Sequence, residues 1–275
     1  MSLIELPYDS GRFNLRMGHG PRGLLDAGLV QNLRGEGFEV EVVSIALSQK
    51  FHTEASALVE LQRAAGAAIR ASRARGARPI LLSGNCGPAA LSAIAALGAA
   101  TTGVIWFDAH ADFNTPDTSA SGFLDGMGLA ILTGACWHKL AAQFDSFEPV
   151  PEEHVLQIGV RDVDDDEALR LAQSRIIRLG PNQLASFSGA LRELVSRTAG
   201  LYVHLDVDVL DLSLGCANSY ACAGGLMLEE LERLLQTIAA SGSIRAASIT
   251  SYDPEADADG RIGRAIPRLI EILAG

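Results

Sequence analysis

The chain has 275 residues, 48% of them hydrophobic and 20% charged, which is ample for one large core. Its net charge of −11 comes without any run of Lys or Arg, which argues against nucleic acid and anionic membranes as partners.

Residues 1–10 read as a polar-punctuated strand, not as a charged segment followed by an apolar leader. No apolar stretch reaches the ~18 residues needed to cross a bilayer. The four cysteines (Cys86, Cys136, Cys216, Cys222) show no C-x-x-C pairing. A cytoplasmic compartment with reduced thiols is expected.

From there the chain alternates short apolar runs with Ala/Leu-rich segments at helical spacing. Residues 39–45 are β-branched and alternating, which predicts a strand. Residues 55–74 predict a helix and 79–83 a strand; 84–87 predict a tight turn and 88–97 a helix with Pro in its first turn. Residues 103–107 and 155–160 read as buried strands, and 167–174 as the start of a helix. A strand at 201–205, a helix at 228–240, a strand at 246–250 and a helix at 263–273 complete the series. This alternation predicts an α/β fold, a parallel sheet covered by helices on both faces, with ligands bound outside the carboxyl ends of the strands. No linker or repeat interrupts it, so one domain is expected over residues 1–275. The irregular stretch 114–123 has the length of loops that are often functional.

Chemistry concentrates at two strand ends. Asp108, His110 and Asp112 follow the strand 103–107, and residues two apart in extended chain point the same way. Asp206 and Asp208 repeat this at the end of the strand 201–205. A solvated loop and a helix-capping Asp pair are the plain alternatives. Four carboxylates converging without a cation would repel and titrate abnormally, which two divalent ions resolve. Oxygen-rich ligation with one imidazole favours Mn²⁺ over Zn²⁺.

These residues carry a family resemblance. WFDAHADFNTP, holding Asp108, His110 and Asp112, resembles the D-A-H-x-D motif of the arginase/agmatinase (ureohydrolase) family, and HLDVDVLD, holding Asp206 and Asp208, resembles its second metal motif. Ser83–Gly87 stands where that family has G-G-D-H-S, and Gly224-Gly225-Leu226 matches its G-G-L. The resemblance implies a three-layer α/β/α fold with an eight-stranded parallel sheet, and two Mn²⁺ per chain. It implies that Asp108 and Asp206 bridge both ions, that Asp112 and residue 86 complete one, and that His110 and Asp208 complete the other. The ions would activate a water that attacks a guanidine carbon. Asn114, Ser119 and Ser121 match residues that hold a substrate's α-carboxylate, and Asp164 and Glu167 match residues near its α-amino group. The partner expected is therefore a small-molecule amino acid. The chain stops just past its last helix, which is compatible with a monomer.

Three positions depart from the family. Residue 86 is Cys where arginases carry a ligating His; a thiolate is a competent ligand, and a buried packing residue is the alternative. Ser251, with Tyr220 nearby, replaces the guanidinium-binding Glu and its supporting segment. Asp125 stands where arginases have a proton-carrying His, and it is either a proton carrier or an ordinary loop Asp. The amino-acid end is kept and the guanidine end altered. This set resembles the Nω-hydroxy-L-arginine amidinohydrolases of D-cycloserine biosynthesis, which implies hydrolysis to L-ornithine and hydroxyurea. The alternatives are an agmatinase-like or other guanidino-acid hydrolase, and a non-catalytic scaffold on the same fold.

Overall fold

The apolar runs of the sequence pair side by side as parallel strands. A computed structural model describes residues 1–48 and 53–275. Among these, the strands are β1 (Ser2–Leu6), β2 (Tyr8–Asp9), β3 (Arg12–Phe13), β4 (Glu41–Ser44), β5 (Pro79–Ser83), β6 (Thr102–Phe107), β7 (Val155–Ile158), β8 (Ile177–Leu179), β9 (Gly200–Asp206) and β10 (Ile244–Thr250). The helices are α1 (His19–Asp26), α2 (Leu29–Gly35), α3 (Glu54–Ala74), α4 (Cys86–Leu97), α5 (Gly128–Leu132), α6 (His138–Ala141), α7 (Asp165–Gln173), α8 (Phe187–Arg197), α9 (Leu228–Ala240) and α10 (Arg261–Ala274).

Eight strands form one parallel sheet in the order β4-β1-β5-β10-β9-β6-β7-β8, and β2 and β3 make a separate short hairpin. Strand β6 shows how sequence sets the layers. Its Ile105 and Phe107 enter one core together with Leu201, Val203 and Leu205 of β9. Its Val104 and Trp106 enter a second core on the opposite face with Tyr202. The first core is roofed by α1, α2, α8, α9 and α10, the second by α3, α4, α5 and α7. Strands buried on both faces explain why these runs are continuously apolar instead of alternating.

The predicted elements occur with shifted ends, and the shifts have local causes. Strand β7 stops at Ile158 because Gly159 takes φ +94°, where a Cβ would run into Val209. Helix α4 begins at Cys86, before Pro88, because Pro is tolerated anywhere in a helix's first turn. Helix α7 begins at Asp165, capped by Asp164 with Glu167 reaching back in a capping box. Residues 1–10 divide into β1 and the start of the hairpin at β2. The segments α1, α2, β8 and α8 add to the elements expected from the sequence. No helix among the described residues is long and apolar enough to cross a membrane.

Candidate metal centre and substrate cleft

The four central strands β5, β10, β9 and β6 end side by side. Cys86 follows β5, Ser251 follows β10, Asp206 ends β9 and Asp108 follows β6. Residues far apart in the chain thus meet at one edge of the sheet, on the face that α4 covers.

Asp108 is buried at the floor. Its Oδ2 accepts from Trp106 Nε1 at 3.0 Å and its Oδ1 from the His110 backbone N–H at 2.7 Å. His110 Nδ1 lies 3.4 Å from Asp108 Oδ1 and 3.3 Å from Asp208 Oδ2. Asp208 Oδ1 accepts from the Ala109 backbone N–H at 3.2 Å, which ties the two motifs together. Asp206 Oδ1 accepts from the Asp208 backbone N–H at 2.9 Å. Asp112 adopts a left-handed conformation at φ +50°, which Asp tolerates better than most residues. Its carbonyl accepts from the Leu129 and Ala130 backbone N–H groups, so the start of α5 holds this turn in place.

Cys86 opens α4 with its sulfur turned to this cluster. Sγ lies 3.1 Å from Asp206 Oδ2, 3.3 Å from Thr250 Oγ1 and 3.4 Å from Ser251 Oγ. The preceding Gly84 is needed because a Cβ there would run into the Tyr8 carbonyl. Asp125 grips the start of the same helix. Its Oδ2 accepts from Asn85 Nδ2 at 2.8 Å and the Cys86 backbone N–H at 3.1 Å, and its Oδ1 from the Gly87 backbone N–H at 2.9 Å. It caps a helix, a role that pairing across 38 residues hides from a sequence reading.

The electrostatics are those of crowded acids in a dry site. Burial, with the neighbouring Asp208, pushes Asp108 up to about 6. Burial and mutual repulsion hold Asp112 and Asp206 well above the ordinary carboxylate range. Burial works against Asp208 too, but the hydrogen bond and charge of His110 win and hold it low. Burial opposes a charged His110, yet its bonds to Asp108 and Asp208 raise it far above its usual value. Burial, then Asp206 and Asp125, pushes the Cys86 thiol up. Asp125 is raised to about 7 by burial against the opposing pull of Gly87, Cys86 and Asn85. Carboxylates this deep and this close need more positive charge than one imidazolium supplies. Divalent cations fit that need, and the carboxylate, imidazole and thiolate donors are all competent ligands.

Above the floor lies a cleft of about 360 Å³ that all the candidate site residues line except Asp108 beneath it. Asn114 Nδ2 donates to Asp164 Oδ2 at 3.0 Å, and Asn114 Oδ1 accepts from Thr118 Oγ1 at 2.8 Å. Glu167 Oε1 accepts from the Phe113 backbone N–H at 2.7 Å, so Asp164 and Glu167 also serve as structural caps. Ser119 and Ser121 lie at the exposed rim, their hydroxyls 3.5 Å apart. Tyr220 is exposed and stacks on Phe123, with ring centroids 5.9 Å apart. Ser251 is buried at φ +63°, held by its backbone N–H donating to the Ser83 carbonyl.

The sequence assigned no individual role to three residues near the site. Asn218 is buried and donates from Nδ2 to the Ser251 carbonyl at 2.8 Å and to Asp208 Oδ2 at 3.4 Å. Arg161 donates to the Asp208 carbonyl at 2.9 Å and the Cys222 carbonyl at 2.8 Å, bracing the loop beyond β9. His204 lies inside β9, where burial lowers it to about 3 and keeps it neutral. The signal available for His204 was a titratable residue in an otherwise apolar strand.

The arginase family model matches residues 1–274. The arginase of Bacillus caldovelox is 27% identical over 100% of this chain and 98% of its own length, and that of Bacillus subtilis (strain 168) is 26% identical over 100% and 97%. The solved structure of the B. caldovelox arginase superposes with a TM-score of 0.89, covering 100% of this chain and 97% of its own. With its eight-stranded parallel sheet and the acid-rich strand ends described above, this chain belongs to the arginase family.

Proposed function

We propose that this chain, acting as one domain over residues 1–275, holds two Mn²⁺ ions and hydrolyses a guanidine-type C–N bond. The substrate we infer is Nω-hydroxy-L-arginine, cleaved to L-ornithine and hydroxyurea. Cys86 and Asp112 would hold one ion, His110 and Asp208 the other, and Asp108 and Asp206 would serve the pair. When bound, the ions supply Lewis acidity that activates water and polarises the guanidine carbon.

The chain's own residues orient the substrate. Asn114, Ser119 and Ser121 face the cleft where a carboxylate would sit, and Asp164 and Glu167 flank the place for an α-amino group. Asp125 lines the same cleft, and at about 7 it is suited to hold a proton for the leaving amine.

The observation that carries the substrate choice is Ser251. At the guanidine end, its hydroxyl sits 3.4 Å from Cys86 Sγ where the resemblance leads one to expect Glu. Asp125, a cleft carboxylate outside the ligand set, is occupied by the start of α4. A guanidinium would find no free carboxylate there, a loss of about 1.5–3 kcal/mol for a charge-assisted bond. An N-hydroxyguanidine is less basic and needs that partner less. The similar relatives are arginases, so unmodified arginine is the competing substrate.

Side-by-side turnover of arginine, Nω-hydroxyarginine, agmatine and 4-guanidinobutyrate with Mn²⁺ tests this reading. Preference for the hydroxylated substrate is expected; arginine turned over best would reject it. Purified protein that takes up no metal would point instead to a non-catalytic scaffold.

A further inference from the structure

His204 is fully buried in β9, and a buried imidazole needs partners for both nitrogens. Nδ1 meets two hydroxyls, Ser248 Oγ at 3.0 Å and Tyr202 Oη at 3.1 Å, and these lie 2.7 Å from each other. Nε2 faces Thr250 Oγ1 at 3.4 Å. Thr250 Oγ1 in turn lies 3.3 Å from Cys86 Sγ. The ring stacks on Trp106 with centroids 3.8 Å apart, and Trp106 donates to Asp108. Register accounts for this. Trp106, His204 and Ser248 form one rung across β6, β9 and β10, and Asp206 and Thr250 pair two residues further on.

Counting hydrogens selects the tautomer. Tyr202 and Ser248 bring two hydroxyl hydrogens, and within this trio the acceptors are their own oxygens and Nδ1. Both hydrogens are used when one hydroxyl donates to the other and the second donates to Nδ1. Nδ1 is then bare. An imidazole with a bare Nδ1 carries its N–H on Nε2, and that hydrogen points at Thr250 Oγ1. That oxygen accepts, and the hydrogen of Thr250 must go elsewhere. The Cys86 sulfur and the Leu205 carbonyl are both 3.3 Å away. A thiolate is the stronger acceptor because it is charged.

We propose that His204 and Thr250 are positioning residues for Cys86: the Nε2–H imidazole fixes Thr250 so that its hydroxyl donates to the Cys86 sulfur when that sulfur ligates a metal ion. This rests on Cys86 being a ligand, as proposed above. It makes His204 a support and not a ligand, although its ligand atom lies within 4.8 Å of those of Cys86 and Asp108. Residues that brace a ligand this way typically carry roughly 10–100-fold of metal affinity.

The test compares Co²⁺-loaded wild type with Thr250→Val and His204→Phe, the latter keeping an aromatic ring against Trp106. The readouts are the sulfur-to-cobalt charge-transfer band and Co²⁺ affinity by chelator competition. Loss of the donor should move the band to lower energy in both variants and weaken affinity by roughly 10–100-fold. Nitrogen NMR of His204 in the Zn²⁺-loaded protein should show a protonated Nε2 and a bare Nδ1. A wild-type band that Thr250→Val leaves in place, with unchanged affinity, overturns this proposal alone. So does a protonated or metal-bound pattern at the wrong nitrogen. A fully loaded wild type with no band rejects Cys86 as a ligand, and this proposal with it. If His204→Phe does not fold, Thr250→Val and the NMR pattern still decide.

Discussion

Cys86 Sγ and Asp206 Oδ2 lie 3.1 Å apart, although 120 residues separate them in the chain. The contact exists because β10 lies between β5 and β9, so the two strand ends that carry these residues flank a single neighbour. Asp206 therefore joins the sulfur to its own motif partner, meeting Cys86 through Oδ2 and the Asp208 backbone N–H through Oδ1. Asp206→Ala should lose at least one metal ion and nearly all activity. Metal analysis of the purified variant alongside its turnover checks this, and an unchanged metal content with an unchanged rate would remove Asp206 from the centre.

Ser251→Glu should shift relative binding toward arginine and away from the hydroxylated substrate. The position is buried, so the longer carboxylate must be accommodated there and a fall in melting temperature is expected as well. The Tyr220–Phe123 stack borders the same space, so Ser251→Glu with Tyr220→Ala is the fairer variant. Inhibition constants for both guanidines provide the comparison. If neither variant changes their ratio, position 251 does not meet the guanidine.

Asp125→Asn should damage two things at once. An amide nitrogen would face the N–H groups of Asn85, Cys86 or Gly87 that the carboxylate now accepts, a loss of about 1–3 kcal/mol. Turnover should fall together with thermal stability. A variant that melts like wild type but turns over slowly would assign Asp125 to proton transfer alone. One that matches wild type in both would leave it no role in either.

Metal and protons should compete at the floor of the cleft. In the metal-free protein, burial raises Asp108 to about 6 and lifts Asp112 and Asp206 well above their ordinary range. Raised carboxyls bind protons more tightly folded than unfolded. Their contribution to stability is thus fully present at low pH and is lost as pH rises through the folded values. Metal binding needs the deprotonated groups and reverses the trend. The melting temperature gained on adding Mn²⁺ should therefore grow as pH rises through about 6. A gain independent of pH from 5 to 8 would mean that these acids are not the ligands.

Much of this site was legible in the sequence because strands write their chemistry in alternation. Asp108, His110 and Asp112 fall two apart after a strictly apolar run, and so do Asp206 and Asp208 after another. The parallel sheet follows from the same runs, which are apolar on both faces. What stayed hidden depends on pairing between distant segments. Asp125 reads as a loop acid until α4 is seen to begin against it. Asn218 has no periodic context at all. His204 hides in a strand whose neighbours announce only a core, and its meaning comes from Ser248 and Thr250, some 44 and 46 residues later.

The placement of β10 has a consequence for how the protein is made. Among the described residues it follows every other strand of the sheet in the chain, yet it occupies an inner position, between β5 and β9. Until it inserts, β5 and β9 have unpaired edges and Cys86 has no neighbour on that side. Such late, non-local pairing is slow and exposes apolar edges during synthesis. A nascent chain arrested before Ile244 would hold both Asp motifs but lack the strand that brings Cys86 beside them. The thiol can join the two Asp motifs only once that strand is in place.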